Sequence, residues 1–337
     1  MSVGAWSRRG ALAAMAAAAA VRPAFAQLAA PPAAQPAPPL PVLPDRNVVL
    51  ETAFDHAQRL TVPVFLNGKG PFDFVVDTGS NRCVVCAEVA DYCRLPEVGV
   101  APVHGILSAE PATLVRVDRT RVGQVASAGL RMPKVLRSRV GADGILGLDM
   151  LRGRRIVLDF QSQTFSIEVS NEGPYLETGR NSRIAGPDRP ISVPARFQAG
   201  QLVIIDAEAA GQGVTAFLDS GSQVTIANLA MRRAVLAARP DLAQGLIHSE
   251  LISATGQRAA ADFGQLPGLR LGGVRIDSPL VGFADLHIFD LWDLQNRPTL
   301  LVGVDTLRRF EKVAFDFSRK VITFWPLRIP YERRRGG

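Results

Sequence analysis

Two stretches decide the reading: Phe74-Val75-Val76-Asp77-Thr78-Gly79-Ser80-Asn81 and Ala216-Phe217-Leu218-Asp219-Ser220-Gly221-Ser222-Gln223. Each is a short apolar run of strand character that delivers one carboxylate at its end. The glycine two positions on permits a sharp turn, and the neighbouring hydroxyl residues supply donors and acceptors to orient the acid. A single Asp-Thr-Gly is ordinary turn chemistry in which the Asp caps the bend. Two copies in matching contexts are not explained that way.

The contexts match over a long distance. Before Asp77, Leu60 to Leu66 is an apolar run broken by Asn67-Gly68-Lys69-Gly70 and followed by Phe72 to Val76, which predicts two strands joined by a tight hairpin. Before Asp219, Leu202 to Ala207, Gly211-Gln212-Gly213 and Val214 to Leu218 repeat the pattern. Downstream, Gly144-Ile145-Leu146-Gly147-Leu148-Asp149-Met150-Leu151-Arg152 is answered by Leu300-Leu301-Val302-Gly303-Val304-Asp305-Thr306-Leu307-Arg308. The strand cues Val157 to Phe160 with Thr164-Phe165 are answered by Ala314 to Phe317 with Thr323-Phe324. An internal repeat of this kind makes the chain a doubled unit. Most runs are short and bounded by Gly, Pro, Asn or Asp, so the class is mainly β, with short helices near Glu88 to Cys93 and Leu229 to Ala238, the second capped by Asn228 and ended before Pro240.

With both Asp loops and both apolar-apolar-Gly segments, the sequence resembles the aspartic proteases, over nearly all of Leu60 to Trp325. The resemblance implies a bilobal acid-protease fold of two pseudo-symmetric, β-barrel-like lobes. It implies that Asp77 and Asp219 are the catalytic pair, and that Ile145-Leu146-Gly147 and Leu301-Val302-Gly303 thread beside the catalytic loops in a ψ-shaped crossing. Thr78 and Ser220 fall where the family braces one lobe against the other, with Gly79 and Gly221 behind the acids. Ser80 and Ser222 fall where a hydroxyl bonds the carboxylate. The pepsin-like flap tyrosine is missing, because Tyr92, Tyr175 and Tyr331 are all misplaced for that role. The short helical segments after Gly147 and Gly303 look instead like the retroviral-type branch, here doubled in one chain, so that a monomer suffices. Two carboxylates about 3 Å apart cannot both ionise and would share one proton. Hydroxyls at Ser80 and Ser222 would favour the charged forms and an acid-leaning optimum.

Other segments follow from this frame. Flap candidates over a polypeptide substrate are His104 to Val115 and Ser253 to Arg258, the latter holding Thr255-Gly256-Gln257; ordinary surface hairpins are the alternative. The stretch from Asp219 to Gly303 is longer than that from Asp77 to Gly147, which places an extra element at Gly282 to Pro298. Its Phe283, Phe289 and Trp292 are expected to pack inward and Asp285, Asp290 and Asp293 outward. It is either an insertion folded on the core or, with Trp292, Gly147 and Gly303, an edge of the substrate cleft. Cys83, Cys86 and Cys93 read as one disulfide and one free thiol, or as small apolar residues in a strand and the helix after it. A zinc site lacks a fourth ligand, since the four histidines are scattered.

The ends are not part of either lobe. Ser7-Arg8-Arg9, the Ala/Leu-rich run Ala11 to Val21 and Ala24-Phe25-Ala26 predict an export signal over 1–26, of ordinary or twin-arginine type, or an uncleaved anchor. The run is too short for a comfortable membrane span. A Pro/Ala tether covers 27–46, the first lobe 47–168, a Gly/Asn/Glu/Pro linker 169–190, the second lobe 191–327 and a basic tail 328–337. The mature chain is then periplasmic or secreted. Of 337 residues 47% are hydrophobic, enough for sizeable cores, and the net charge of +7 sits largely at the ends. No basic stripe with interleaved aromatics points to nucleic acid, and no cofactor or metal is expected. There is no Gly-x-Ser-x-Gly elbow for a serine hydrolase. What remains is an endopeptidase acting on exported or envelope proteins, or a peptide-binding protein that keeps the cleft and cleaves poorly.

Overall fold

Apolar residues at alternate or continuous positions of short strands need a second layer to cover them, and this chain supplies it by curling its sheets. The computed structural model describes residues 48–55, 58–170, 189–198, 200–204, 206–252 and 257–327, with the backbone alone for Val203 and Ile252. The expected signal, the tether, most of the linker, the basic tail, Thr255 and Gly256 lie outside the described residues. The described residues are mainly strand and fall within one compact unit, Pro38–Gly337. Among them no helix is long and apolar enough to cross a membrane.

In the first lobe six strands close on themselves. Leu60–Leu66 pairs with Lys69–Val76, which runs parallel to Gly144–Leu146; Val84–Cys86, Val125–Val135 and Ala109–Val122 follow, and Val122 returns to Val64. The entry hairpin turns on two residues, Asn67 and Gly68, with φ of 49° and 81°, so Lys69 and Gly70 already belong to the strand and not to the turn. Val62, Val64, Leu66, Phe74, Val76 and Leu146 fill the interior and are fully buried.

The second lobe uses the same order with a different closure. Gln201–Ile204, Thr215–Leu218, Thr299–Val302, Ile226–Ala227, Leu280–Phe283, Arg258–Gln265 and Ile247–Ile252 form one curled sheet. The counterpart of the long strand Lys69–Val76 is interrupted, so Ala207–Ala209 and Gln212–Gly213 turn aside at Ala210 and Gly211 into a separate four-stranded sheet with Leu269–Leu271 and Val274–Ile276. Barrel-like curvature is therefore common to both lobes, but ring closure within one sheet belongs to the first.

Beneath both lobes the repeat meets itself. Arg155–Asp159 pairs antiparallel with Phe310–Asp316, and each carries its hairpin partner, Thr164–Glu168 or Val321–Pro326, on the outside. Joined to Val48–Glu51, Ile191–Gln198 and the second-lobe sheet, these strands make one 13-stranded sheet. Helices sit where the sequence places them, at Ala87–Cys93 and Leu229–Ala238. The second is capped by Asn228, whose Oδ1 accepts from the Met231 amide at 2.8 Å while its Nδ2 reaches the carbonyls of Leu294 and Arg297.

The cysteines form no disulfide. Cys83 Sγ donates to Asp149 Oδ1 at 2.9 Å and Cys86 Sγ to the Ala142 carbonyl at 2.8 Å, so the two thiols address different partners, and Cys93 is buried as a free thiol. The expected pairing gives way to the alternative, in which they fill space as small buried residues.

Candidate active site

Each acid is carried to the molecular centre by a strand with parallel cover. Lys69–Val76 ends in fully buried Phe74, Val75 and Val76, and the Asp77 amide donates to Leu146 O at 3.1 Å; Thr215–Leu218 ends likewise, and the Asp219 amide donates to Val302 O at 2.9 Å. Beside each parallel strand lies the short strand that follows the acid loop, Val84–Cys86 or Ile226–Ala227, running antiparallel to it. The chain thus passes between two of its own strands, which is the ψ-shaped crossing in both lobes. Gly147 and Gly303 make this crossing possible. A Cβ on Gly147 would lie 2.4 Å from the Arg82 carbonyl, and one on Gly303 would lie 2.5 Å from that of Val224. The two glycines sit under the loops, where their closeness to backbone requires them to be glycine.

The acid loops fold over their own carboxylates. Gly79 N–H donates to Asp77 Oδ1 and Gly221 N–H to Asp219 Oδ1, both at 2.8 Å. Each glycine also faces the other lobe's acid: a Cβ on Gly79 would fall 2.5 Å from Asp219 Cγ, and one on Gly221 2.3 Å from Asp77 Cγ. With side chains removed at these two points, the loops interpenetrate and bring the two carboxylates against each other.

Thr78 and Ser220 lock that approach. The Thr78 hydroxyl donates to Leu218 O and accepts from the Ser220 amide, each at 3.0 Å. The Ser220 hydroxyl donates to Val76 O at 2.7 Å and accepts from the Thr78 amide at 3.0 Å. Four hydrogen bonds with both hydroxyls buried fix the lobes in register at the acids. Ser80 and Ser222 are arranged differently from the expectation. Their hydroxyls donate to Arg82 O at 2.8 Å and Val224 O at 2.9 Å, satisfying the carbonyls that the crossing glycines press against, and do not serve the carboxylates. The acids are instead held by backbone amides.

Burial dominates the electrostatics. Desolvation pushes Asp77 well above the usual carboxylate range, and the charge of Asp219 and the bond to it push in the same direction. Asp219 is also raised by burial, against the bond from Asp77 and the amides of Gly221 and Ser222. Both acids are thus biased toward their protonated forms, and as neighbours they titrate as a pair and not one by one. Two adjacent acids with one proton can act as base and acid on the same water and carbonyl.

The remaining expectations are distributed around this centre. The first flap candidate is a hairpin of Glu97–His104 and Ala109–Val122, whose Gly105 amide closes on Ser108 O at 2.8 Å. Its tip lies on the second lobe. Ile106 and Leu107 pack on the cluster of Phe217, Ile226, Leu286 and Phe289, Ile106 O accepts from Ile288 N at 3.2 Å, and His104 Nδ1 lies 3.0 Å from His287 Nε2. The second candidate is represented by the hairpin Ile247–Ile252 with Arg258–Gln265, and its described Gln257 reaches Ser108 Oγ at 2.6 Å and Glu110 at 2.7 Å. The element at 282–298 begins at the end of the strand Leu280–Phe283 and contains the helix His287–Leu291. Phe283 and Phe289 are buried, Asp285, Asp290 and Asp293 are exposed, and Trp292 stacks on Phe217 at 4.4 Å between ring centroids. Trp292 thus backs the strand that carries Asp219, two residues from the acid.

Sequence reasoning passed over several residues. Asp149 and Asp305 were landmarks without roles; Asp149 holds the Cys83 amide and thiol, and Asp305 Oδ1 holds the Thr225 hydroxyl at 2.7 Å. Arg59 and Gln201 each reach the opposite acid loop, and their one signal is that both directly precede the leucine opening the repeat, Leu60 or Leu202. Among the described residues no group of three or more His, Cys, Asp or Glu side chains is arranged to hold a metal ion.

Residues 62–150 match the family model described as aspartyl protease. No curated protein matches the chain.

Proposed function

We propose, from the match of residues 62–150 to the aspartyl protease model, an endopeptidase of the retroviral type in which the second half is a doubled copy of the first and Asp77 and Asp219 form one catalytic dyad. The observation that carries this reading is the mutual fit of glycine and acid, with Gly79 against Asp219 and Gly221 against Asp77. A structural pair of capping acids has no need of that fit. In the proposed cycle the ionised acid removes a proton from a water held between the pair. The protonated acid gives its proton to the scissile carbonyl oxygen as the water oxygen attacks its carbon, giving a tetrahedral diol. The proton taken from water then passes to the amide nitrogen, the C–N bond breaks, the other carboxylate takes a proton from the diol as the new carboxyl forms, and the pair returns to its singly protonated form.

Substrate binds as an extended strand under the first-lobe hairpin, whose tip must lift from the His287–Leu291 helix to admit it. The N-terminal export pattern makes the periplasm or the cell exterior the working compartment, and exported or envelope proteins the substrates. One chain contains both acids, so monomers are active. The test is to incubate the mature chain with a library of unstructured peptides across a range of pH and map the cuts by mass spectrometry. Cleavage abolished by a hydroxyl-bearing transition-state mimic and untouched by chelators supports the reading. Tight binding of peptides without cuts at any pH would make the chain a peptide-binding protein instead.

A further inference from the structure

The two acid loops are anchored from the opposite lobe by side chains that occupy equivalent places in the repeat but differ in charge. In the second lobe Gln201, 3% exposed, sends its Nε2 to the Gly79 carbonyl at 2.9 Å. In the first lobe Arg59, 7% exposed, points its Nη1 at the Gly221 carbonyl at 3.4 Å. Arg59 is held there by Asp55, which accepts from its Nε at 2.7 Å and its backbone amide at 2.8 Å, and by the Val140 carbonyl. A buried cation has thus been placed in the wall of the acid pair on one side only. The doubling of the chain would otherwise leave the two acids interchangeable.

The charge acts through a defined path. The carbonyl of Gly221 and the amide of Ser222 are one peptide group. A donor on that carbonyl polarises the Ser222 N–H, which donates to the Asp219 main-chain carbonyl at 3.3 Å and favours the ionised carboxylate that the Gly221 N–H bonds. Asp77 has the Gly79 amide in the corresponding role, and the donor behind Gly79 is the neutral amide of Gln201. Arg59 is also the charge outside the pair that acts on both acids in the direction of ionisation. Its own surroundings contain the carboxylate of Asp55, and the neighbouring cation Arg308 is engaged by Gln58 at 2.8 Å and by the ring of Phe54.

We infer that Arg59 is a positioning residue of the pair, one whose cation settles the shared proton on Asp77 and leaves Asp219 as the ionised member; this rests on reading the two acids as the working dyad. The role is to break the two-fold equivalence of the loops. Asp219, nearer the polarised amide, is then the group that takes the proton from water, and Asp77 the group that donates to the carbonyl.

The experiment follows the carboxyl carbons of Asp77 and Asp219 by NMR as pH is changed, alongside the pH profile of kcat/KM. Arg59→Gln copies the second lobe's solution into the first. Release of the shared proton should move up by about one pH unit, and the difference between the two carboxyl signals should shrink. Asp55→Asn leaves the arginine uncompensated and should move release downward. The basic limb of kcat/KM should follow in the same directions, while Gln201→Ala should leave the titration in place. If Arg59→Gln fails to fold, Asp55→Asn decides alone: a downward shift supports the role, and an unchanged or upward one overturns it. Unaltered titration in Arg59→Gln also overturns it. Because the NMR titration needs no cleavage, wild-type protein that titrates as stated yet cuts nothing would leave the role of Arg59 standing and remove the protease reading.

Discussion

In the first lobe the strand that carries Asp77 is eight residues long and belongs to a closed ring of six; in the second, the strand that carries Asp219 is four residues long and its ring is divided between two sheets. The divergence continues in the details. Cys83 bonds Asp149 where Thr225 bonds Asp305, Arg59 stands where Gln201 stands, and the helix His287–Leu291 stands where the first lobe has the single turn Arg137–Val140. Along the backbone of the acid loops, however, the same pattern recurs in both lobes. The paired strand and ψ crossing, the glycine against the opposite acid, and the hydroxyl reaching the opposite carbonyl all occur twice. Local two-fold symmetry is kept where one lobe's atoms must fit the other's, and is lost where each lobe packs only against itself.

The strongest way to break this comparison is at the acids. Asp77→Asn and Asp219→Asn should each lower kcat by about 10³-fold or more, because neither carboxyl performs both proton transfers. Residual activity differing greatly between the two would mean that the lobes are not equal partners in the chemistry. Stability carries its own signature. Both acids are raised in the folded chain, so the fold prefers them protonated; that preference is full below the ordinary carboxylate range and is lost as pH rises through the raised values. Melting curves from pH 4 to 7 should therefore show a smaller loss of Tm in either Asn variant than in the wild type.

Next in size is the lock. Thr78→Val leaves the Ser220 amide and the Leu218 carbonyl without their buried partner, and Ser220→Ala does the same to the Thr78 amide and Val76 carbonyl. Each should cost about 2–6 kcal/mol in denaturant unfolding, counting about 1–3 kcal/mol for each of the two stranded groups. Equal losses sharpen the symmetry; a loss confined to one variant breaks it. Cys83→Thr then transplants the second lobe's solution into the first. Asp149 can accept from the new hydroxyl as Asp305 does from Thr225, so unfolding free energy should change by less than about 1.5 kcal/mol.

The smallest effect concerns the hairpin tip that lies on the second lobe. Burial, and after it the neighbouring His287, hold the His104 imidazole below its usual pKa, so the contact favours the neutral ring and weakens as pH falls through the histidine range. Amide exchange at Gly105 to Ser108 should quicken between pH 7 and pH 5, after correction for intrinsic rates, and a His104→Phe variant should remove that dependence.

The centre of the molecule was legible because its constraints are local. Strands ending in Asp, a glycine that must admit another chain, and an apolar pair before a second glycine are each written in a few consecutive residues. Asn228 announced its helix for the same reason. The failures occurred where a side chain had a choice of partner. Ser80 and Ser222 each follow an acid by three positions, and only the tertiary path of Gly147 and Gly303 shows that their hydroxyls serve the carbonyls of Arg82 and Val224. The spacing of the cysteines could not reveal that Asp149 and Ala142 had claimed two of the thiols. Arg59 reads as an ordinary charge at a turn until the other lobe is brought against it.

The strand pair at the base, Arg155–Asp159 with Phe310–Asp316, joins the halves edge to edge without passing through the linker. Covalent continuity between the lobes is then a matter of concentration more than of architecture. Two polypeptides ending and beginning near Ser170 and Arg189 carry complementary strand edges and complementary acid loops, and would recognise each other as fragments of one protein. The same edges are a hazard during synthesis, since a first lobe that emerges early presents its Arg155–Asp159 edge to any second lobe nearby, its own or a neighbour's.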